Sequence, residues 1–460
     1  MAMTLSNPVA VDTAPAVDRF TPRQKLVIGV SALAQMIDFL DFFLISFVLA
    51  YIIKPWNLSV TQTTIILLSA GIGASIGSFV CGIIADRIGR RPVFLATIVL
   101  FTVSTGAFAL VPDGQWLLLV ALRFVVGFGA TGMYSTNIPL LQEFTPTQRR
   151  GFATGFVACF IPVGVMLASF IVATLGTTVG WRGLFGVAFA FGAILLAFAW
   201  VVPESPIWLA SKGQQAASRR NLAWSLGVPE SEVKAVPIPQ TSAESSFLEL
   251  FRYPRKLIVS WVGVLGAQVA YYGLTLWAPL LLAMLLHATP AHAAFLLIFC
   301  NLADVVARLT FSRLSDKIGR RIFGILQGFA GGACLIAAAL NAHTFIGEVS
   351  VFWLLLIATY VFISGGLAVT VPYVSEIWPS RLRAAGLGTA YGVGSIGKII
   401  GPLGLGLMLG SSNVLSPAAT ADAVLPAFIY LAAWGALTGV VFLFLAKETR
   451  GRSLEEIERE

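Results

Sequence analysis

Long apolar windows alternate with short polar connections along almost the whole chain. Each window holds about 20 residues with almost no charge, the length that an α-helix needs to cross a hydrocarbon core of about 30 Å. Backbone groups in lipid must be hydrogen-bonded within the chain, and barrel strands would alternate in polarity, so we expect helices. The twelve windows cover residues 26–51, 62–85, 92–111, 116–139, 152–175, 183–202, 257–284, 290–312, 322–342, 349–374, 384–409 and 424–446.

One long polar segment, residues 203–256, divides the windows into two groups of six. The pattern predicts an all-α polytopic membrane protein with twelve transmembrane helices in two pseudo-symmetric six-helix bundles, residues 26–202 and 257–446. The connecting loop is expected to carry a short amphipathic helix around residues 211–226. Residues 1–25 and 447–460 are expected to form the terminal tails.

The charged residues support this interpretation and indicate an orientation. Hydrophobic residues make up 57% of the chain and charged residues 11%, far from the balance of a soluble protein. Twenty-five of the thirty Lys and Arg residues fall in the tails or in the loops that follow every second window. Because basic loops stay inside, we expect both termini to be cytoplasmic and the protein to lie in a bacterial-type inner membrane. The net charge of +8 then reflects topology and not nucleic-acid binding.

A short charged pattern occurs twice, about 230 residues apart. In each copy a Glu precedes a Pro by three residues and an Arg by seven. Duplicated charged loops between helices can hold the two halves of a transporter in one state, so we predict a gating role for this set. The first copy contributes Asp86, Arg90, Arg91, Glu143 and Arg150, and the second contributes Asp316, Arg320, Arg321, Glu376 and Arg383.

Several of these segments resemble the major facilitator superfamily. Gly82–Arg91 resembles its most recognisable loop motif, whereas the second copy has Ser312 where Gly is expected. Arg123–Gly129 resembles the arginine motif of the fourth helix. Tyr271–Pro279, together with an Asp-x-x-Asp in the first window, resembles the metabolite:proton symporters, the bacterial niacin transporters and the relatives of synaptic vesicle glycoprotein 2. An Asp-x-x-Asp at this place also resembles the aromatic-acid:proton symporters.

Asp38 and Asp41 are the residues of the first window whose insertion into the membrane costs the most free energy. A carboxylate near the membrane centre costs about 2.5–3.5 kcal/mol on insertion scales, so it normally faces a cavity. Their three-residue spacing places both on one helix face. Two neighbouring acids in a low dielectric cannot both ionise easily, and we expect at least one to exchange a proton near neutral pH. Arg123 lies at a depth similar to that of Asp41, so we predict that the two pair and that protonation releases the arginine.

A lysine in the middle of the eleventh window is the candidate for recognising an anion. A charged Lys398 that is shielded from water needs a partner, which suits a carboxylate substrate; a snorkelling or internally paired lysine is the alternative. Asp304 and Arg308 are four residues apart and are expected to form an internal pair.

Aromatic and neutral polar side chains come near mid-depth in windows that should face the cavity. As a set they favour a small aromatic substrate, because aromatic faces bind planar rings and polar groups orient them, although any single one could be packing. The set comprises Tyr134, Phe160, Gln268, Tyr271, Tyr272, Trp277, Asn301, Tyr360 and Tyr391.

Together these features predict a proton-coupled symporter. We do not expect an enzyme, because no window offers a metal-binding set or an activated nucleophile. The expected cargo is a small aromatic or organic monocarboxylate, with nicotinate as the best candidate. A benzoate-type acid symporter, a sugar carrier, a drug or metabolite exporter and a non-transporting receptor are the alternatives. We expect protons and the lipid bilayer as partners, a monomer, no nucleic acid, no cofactor and no metal.

Overall fold

The computed structural model describes residues 20–146, 149–233, 247–379, 382–409 and 417–450. These residues form helices almost throughout, joined by short connections, with one two-stranded antiparallel hairpin that pairs Phe345 with Ser350. The helices are α1 Pro22–Ile52, α2 Val60–Ile88, α3 Arg90–Ala107, α4 Trp116–Phe144, α5 Arg150–Ala158, α6 Phe160–Ala199, α7 Pro206–Ser211, α8 Gln215–Leu226, α9 Pro254–Leu285, α10 Pro290–Ile318, α11 Arg320–Leu340, α12 Val351–Ile377, α13 Arg383–Ser395, α14 Gly397–Leu409 and α15 Pro417–Phe444. The strands are β1 Phe345–Ile346 and β2 Val349–Ser350.

Eleven helical stretches in this part of the chain are long and apolar enough to cross a membrane, and one of them crosses twice. Residues 150–199 form a stretch of 50 residues, which as one straight helix would be about 75 Å long. Gly180, with φ 64° and ψ 177°, interrupts it. Arg91 donates to the carbonyl of Val202 while Arg150 donates to the carbonyl of Thr145, so both ends lie on the side where α3 begins and α4 ends. The prediction of twelve crossings is therefore confirmed.

Local sequence signals explain where several helices begin and turn. Thr21 and Gln24 form a capping box at the start of α1, and Ser59 and Gln62 form one at the start of α2. Gly89 separates α2 from α3 with φ 114°, a conformation that residues with a Cβ rarely adopt. Gly319 has φ 124° in the equivalent turn between α10 and α11, so the two halves share this turn.

In its described part, the polar segment between the halves contains two α-helices, α7 and α8. The helix predicted around residues 211–226 corresponds to α8, and α1 begins at Pro22, a few residues inside the predicted tail. The Thr21 hydroxyl donates to the carbonyl of Ser225 at 2.6 Å, and the Ser225 hydroxyl donates to the carbonyl of Phe144 at 3.0 Å. The connecting segment thus packs against the N-terminal half. The outer tail residues 1–19 and 451–460 lie outside the described residues.

The two halves touch mainly through the pairs α1 with α9, α6 with α10 and α2 with α14. We call the side that carries Arg90 and Arg320 the basic side. The parts of crossings five and eleven that are nearest this side, α5 and α13, contact the other half sparsely, whereas α6 and α14 contact it extensively. The space between the halves is therefore closed on the opposite side and open toward the basic side.

Candidate functional site

The first pair of charged side chains lies between α1 and α4. The guanidinium of Arg123 is 3.8 Å from Oδ2 of Asp41, and the two side chains are 0% and 1% exposed. The closest bonds of Arg123 are to backbone, since it donates to the carbonyl of Phe42 at 2.8 Å. Thr105 donates to Oδ1 of Asp41 at 3.0 Å, while Oδ2 and Nε of Arg123 have no hydrogen-bond partner. The predicted neighbours are thus together, but loosely paired and shielded from the central space.

The second pair joins the two halves. Asp38 of α1 interacts electrostatically with Lys398 of α14, without a hydrogen bond between them. The Lys398 ammonium lies 5.5 Å from the ring centre of Phe42 and 5.3 Å from that of Tyr272. Two aromatic faces, one from each half, therefore flank the cation, an arrangement that stabilises a charged amine in an apolar environment.

Part of the predicted aromatic set surrounds this second pair. Tyr134 of α4 is 37% exposed and interacts electrostatically with Asp38. Tyr391 of α13 is in range of Tyr134, and Tyr272 packs face to face on Phe43 at 6.0 Å. These side chains come from both halves, and Tyr134 and Tyr391 are at least partly exposed whereas Tyr272 is buried. They can bind a planar ring beside the ammonium of Lys398.

Other members of the set do not join this cluster. Trp277 is fully buried and donates to the carbonyl of Pro402 at 3.3 Å. Asn301 donates to the Ser169 hydroxyl at 2.9 Å, which ties α10 to α6 across the closed contact between the halves. Tyr360 is also buried, at 2% exposure. In this arrangement the three side chains are packing or interface residues, so the structure does not place them at the open site.

The remaining members lie beside the cluster. Phe160, at the start of α6, packs edge-on against Phe156 at 5.3 Å. Gln268 of α9 faces Gly397, one residue before Lys398. Tyr271 packs edge-on against Tyr272 at 5.3 Å. They border the candidate site without completing it.

The third pair, Asp304 and Arg308, is a close ion pair within α10, as the sequence predicts. Nε of Arg308 donates to Asp304 at 2.6 Å, and its Nη2 donates to the Ser364 hydroxyl at 2.7 Å. Ser364 in turn donates to Asp304 at 2.5 Å. The guanidinium lies 5.8 Å from the ring centre of Tyr271. This closed network satisfies its own charges.

A comparison with known families fits this arrangement. The family described as sugar (and other) transporter matches residues 29–460. The chain belongs to this family. It is accordingly a membrane transporter of the major facilitator superfamily and not an enzyme.

Individual relatives of this transporter differ in their cargo. It is 28% identical to the niacin transporter NiaP of Acinetobacter baylyi, over 94% of this chain and 95% of the relative. It is 26% identical to the cis,cis-muconate transport protein of the same organism, over 83% of this chain and 87% of the relative. The inward-open xylose transporter XylE from E. coli has the same fold, with a TM-score of 0.71 and 18% identity over 95% of this chain and 99% of that one.

The N-terminal half of the transporter holds its charged motif together at the end of α4. Glu143 forms an ion pair with Arg90 and accepts a hydrogen bond from the Ser205 hydroxyl. Glu204 accepts the backbone N–H groups of Arg90 at 3.0 Å and Arg91 at 3.1 Å, and so caps α3. The motif therefore ties α3, α4 and the residues before α7 into one unit.

The C-terminal half repeats this network. Glu376 pairs with Arg320 at 3.0 Å and accepts a hydrogen bond from the Thr449 hydroxyl at 2.9 Å. Glu448 accepts the backbone N–H groups of Arg320 at 2.9 Å and Arg321 at 3.1 Å. Each contact has its counterpart in the first half.

The other predicted gating residues are placed differently. Arg150 donates to a backbone carbonyl at the end of α4, and Arg383 has two buried guanidinium nitrogens without hydrogen-bond partners, so neither pairs with the glutamate seven residues before it. Asp86 is exposed, whereas Asp316 pairs with Arg320 at 3.2 Å. Among the described residues, each ion pair on the basic side joins side chains of the same half, and a gating role stays a prediction.

Four residues that contact the predicted sites are absent from the sequence-based set. Phe42 flanks Lys398, and Thr105 binds Asp41. Glu204 and Glu448 cap the helices that follow the charged turns. The two glutamates carry a detectable signal, because each is followed by a hydroxyl residue directly after the last crossing of its half. Phe42 and Thr105 carry none, because they stand in uniformly apolar windows.

Proposed function

We propose that this chain is a proton-coupled symporter that imports a small aromatic or organic monocarboxylate, with nicotinate as the leading candidate, by alternating access. The observation that carries the proposal is the cation Lys398, which lies between the halves, flanked by two aromatic rings and facing Asp38. A cation inside a membrane attracts an anion strongly because the surrounding dielectric is low.

The chemistry of this site suits an unsaturated acid better than a sugar. Phe42, Tyr272 and Tyr134 offer ring faces for a planar substrate, and Lys398 offers a charge for its carboxylate. A neutral polyol would instead require many neutral hydrogen-bonding groups. Niacin and cis,cis-muconate, the cargoes named for two of the relatives, are both unsaturated carboxylic acids.

Proton coupling is assigned to the acids of α1. The loose contact between Asp41 and Arg123 leaves Oδ2 of the carboxylate without a hydrogen-bond partner, so it can accept a proton at little structural cost. Protonation removes the attraction for Arg123, which frees α4 to move relative to α1. Arg123 itself is sealed behind Phe42, so in this arrangement Lys398 is the better carboxylate ligand.

We further propose that the protein lies in the inner membrane as a monomer, with the basic side and both termini in the cytoplasm. The distribution of Lys and Arg supports this orientation. With that orientation the central space opens to the cytoplasm, and the two charged networks on the basic side would latch the halves when that opening closes.

Uptake of radiolabelled nicotinate by cells that express the protein tests this proposal. We expect accumulation that a protonophore abolishes and that benzoate inhibits by competition. Lys398→Gln should lose uptake, whereas Lys54→Gln, a change outside the site, should not. Accumulation of xylose or glucose in place of the acids would favour a sugar carrier, and net efflux would favour an exporter. Binding of nicotinate without any flux in liposomes would favour a receptor.

A further inference from the structure

Building on the proposed function, we infer that Lys398 is an exchange point shared by two carboxylates, that of Asp38 and that of the substrate. The substrate replaces Asp38 as the counter-ion of the lysine, and Asp38 takes up one proton as it loses that role. The stoichiometry is therefore one proton for each monocarboxylate, and the combined movement of proton and anion carries no net charge.

The geometry between the halves provides the exchange. Asp38 belongs to α1 and Lys398 to α14, and they interact through space, with no direct hydrogen bond between them. Asp38 is buried, at 9% exposure, whereas Lys398 is partly exposed. A carboxylate that enters from the open side can thus reach the ammonium and make the direct contact that Asp38 does not make.

The charges in the interior of the bundle set the stoichiometry. Away from the helix ends, the described crossings hold three acids and three bases, and each acid has a different base as its main opposite charge. These six side chains are Asp38, Asp41, Asp304, Arg123, Arg308 and Lys398. Their charges balance, so a bound monocarboxylate adds one uncompensated negative charge. Because such a charge is costly in low dielectric, one proton must accompany it.

Asp38 is the acid that holds this proton in the substrate-bound state, and Asp41, in electrostatic range of Asp38 on the same helix, relays protons to it. Asp41 has Arg123 and Thr105 as neighbours within its own half, so a substrate that binds Lys398 does not compete for the cation of Asp41. Asp304 is held by Arg308 and Ser364. Asp38 is the one acid of the three whose opposing cation is also the group that the substrate needs.

Every packed element contributes to the environment of the pair. The charged and titratable groups that face Asp38 come from α1, α4, α9 and α14 and are Asp41, Arg123, Tyr134, Tyr272 and Lys398. Arg308 of α10 and Tyr391 of α13 lie one step further, in range of Tyr272. From α15, Tyr430 donates to the carbonyl of Ile400. On α2, the residue that faces the backbone of Lys398 is Gly71, which carries no charge. An ordinary tyrosine ionises only near about pH 10, so the charged groups around the exchange are Asp38, Lys398, Asp41 and Arg123.

Calorimetric binding of nicotinate to the purified full-length protein in nanodiscs tests the inference. Titrations between about pH 6 and about pH 8, where an ordinary carboxylic acid stays ionised, would be run in two buffers of different ionisation heat. At a pH at which Asp38 is ionised before nicotinate binds, we expect uptake of one proton per nicotinate. The affinity for nicotinate should then fall by up to about tenfold for each unit by which the pH rises. Asp38→Asn should bind without proton uptake and with an affinity independent of pH.

Three variants distinguish the possible outcomes. Asp113→Asn, at an exposed site far from the pair, should behave as wild type. Lys398→Gln should lose nicotinate binding but keep any binding of the uncharged amide, which shows that the site is still folded. If Asp38→Asn keeps the proton uptake, or if Asp41→Asn alone abolishes it, the inference is wrong although nicotinate still binds. If the wild type binds no carboxylate at any pH, the proposed function itself fails.

Discussion

The two halves of the transporter are alike at the basic side and different inside the membrane. At the basic side, Glu143 with Arg90 and Glu376 with Arg320 form the same network. Inside, the N-terminal pair of Asp41 and Arg123 is loose at 3.8 Å, whereas the C-terminal pair of Asp304 and Arg308 is tight at 2.6 Å. The shared network holds helix ends together in both halves. The interior pairs differ, so we expect each of them to have a task that belongs to its own half.

The difference assigns separate tasks to the two interior pairs. A carboxylate with an unbonded oxygen can be protonated without breaking a hydrogen bond, which is the situation of Asp41. Asp304 has Arg308 and Ser364 as donors, so protonation would break a closed network. We therefore assign proton exchange to the N-terminal half and a structural role to the pair in the C-terminal half.

The largest expected effect comes from Arg123→Ala. It leaves Asp41 in a buried site without its cation, and removing one partner of a buried pair costs about 3–5 kcal/mol. The acid should then stay protonated, and pH-driven uptake of labelled nicotinate should fall to the level of cells without the protein. Arg182→Ala, at the exposed end of the same half, serves as the control. Full proton-coupled uptake by Arg123→Ala would remove the N-terminal pair from the mechanism.

Next in size is the effect of Asp304→Leu on thermal unfolding in detergent. The single change strands Arg308 and should lower the stability by about 3–5 kcal/mol. The double change Asp304→Leu with Arg308→Met replaces the pair by apolar groups of similar volume, and should recover most of the loss and keep pH-driven uptake. If the double variant is stable but no longer accumulates substrate, the C-terminal pair takes part in coupling and the contrast between the halves is wrong.

Glu143→Gln and Glu376→Gln should each lower the stability by a smaller amount, and the two losses should be equal. Each removes the charge from one ion pair near the surface, which should lower the stability by about 1–3 kcal/mol. Because the networks are copies, the two melting temperatures should shift by similar amounts. A loss confined to one half, measured on matched preparations, would show that the networks are not equivalent.

The smallest effect is expected at the side opposite the basic loops. Arg182 donates to Asp113 at 2.8 Å, and this hydrogen bond holds the pKa of Asp113 below its ordinary value. The pair therefore contributes stability above the ordinary pKa of an aspartate, and this contribution is lost as the pH falls through the lowered one. Both groups are exposed, so Asp113→Asn should leave the melting temperature almost unchanged at neutral pH. A large shift of the melting temperature would indicate that Asp113 makes a further stabilising contact at this end of the molecule.

The sequence predicts the crossings and the duplicated motifs because both depend on local pattern. The depth of Asp41 and Arg123 could be counted from the ends of their windows, and the structure brings the two together as predicted. The ion-pair partner of Glu143 cannot be predicted by counting residues from the ends of the windows. Arg90 reaches it from another helix, while the arginine of its own motif turns to a backbone carbonyl.

The pattern of apolar and polar residues does not predict the contacts between the halves. The approach of Asp38 to Lys398 depends on how α1 and α14 are placed across the central space, and no periodicity within either helix specifies this. For the same reason Asn301 could not be distinguished from a ligand-binding residue, although it bonds to Ser169 at the closed interface. Trp277 is buried in this structure, and the sequence cannot distinguish the two roles because an aromatic side chain at mid-depth fits a core as well as a site.

The most direct test of the account is pH-driven accumulation of labelled nicotinate in proteoliposomes, with the wild type compared to the double variant Asp38→Asn/Asp41→Asn. The account predicts that the wild type concentrates the acid against its gradient, whereas the double variant only equilibrates it. Accumulation by the double variant equal to that of the wild type would contradict the claim that these two carboxylates carry the proton.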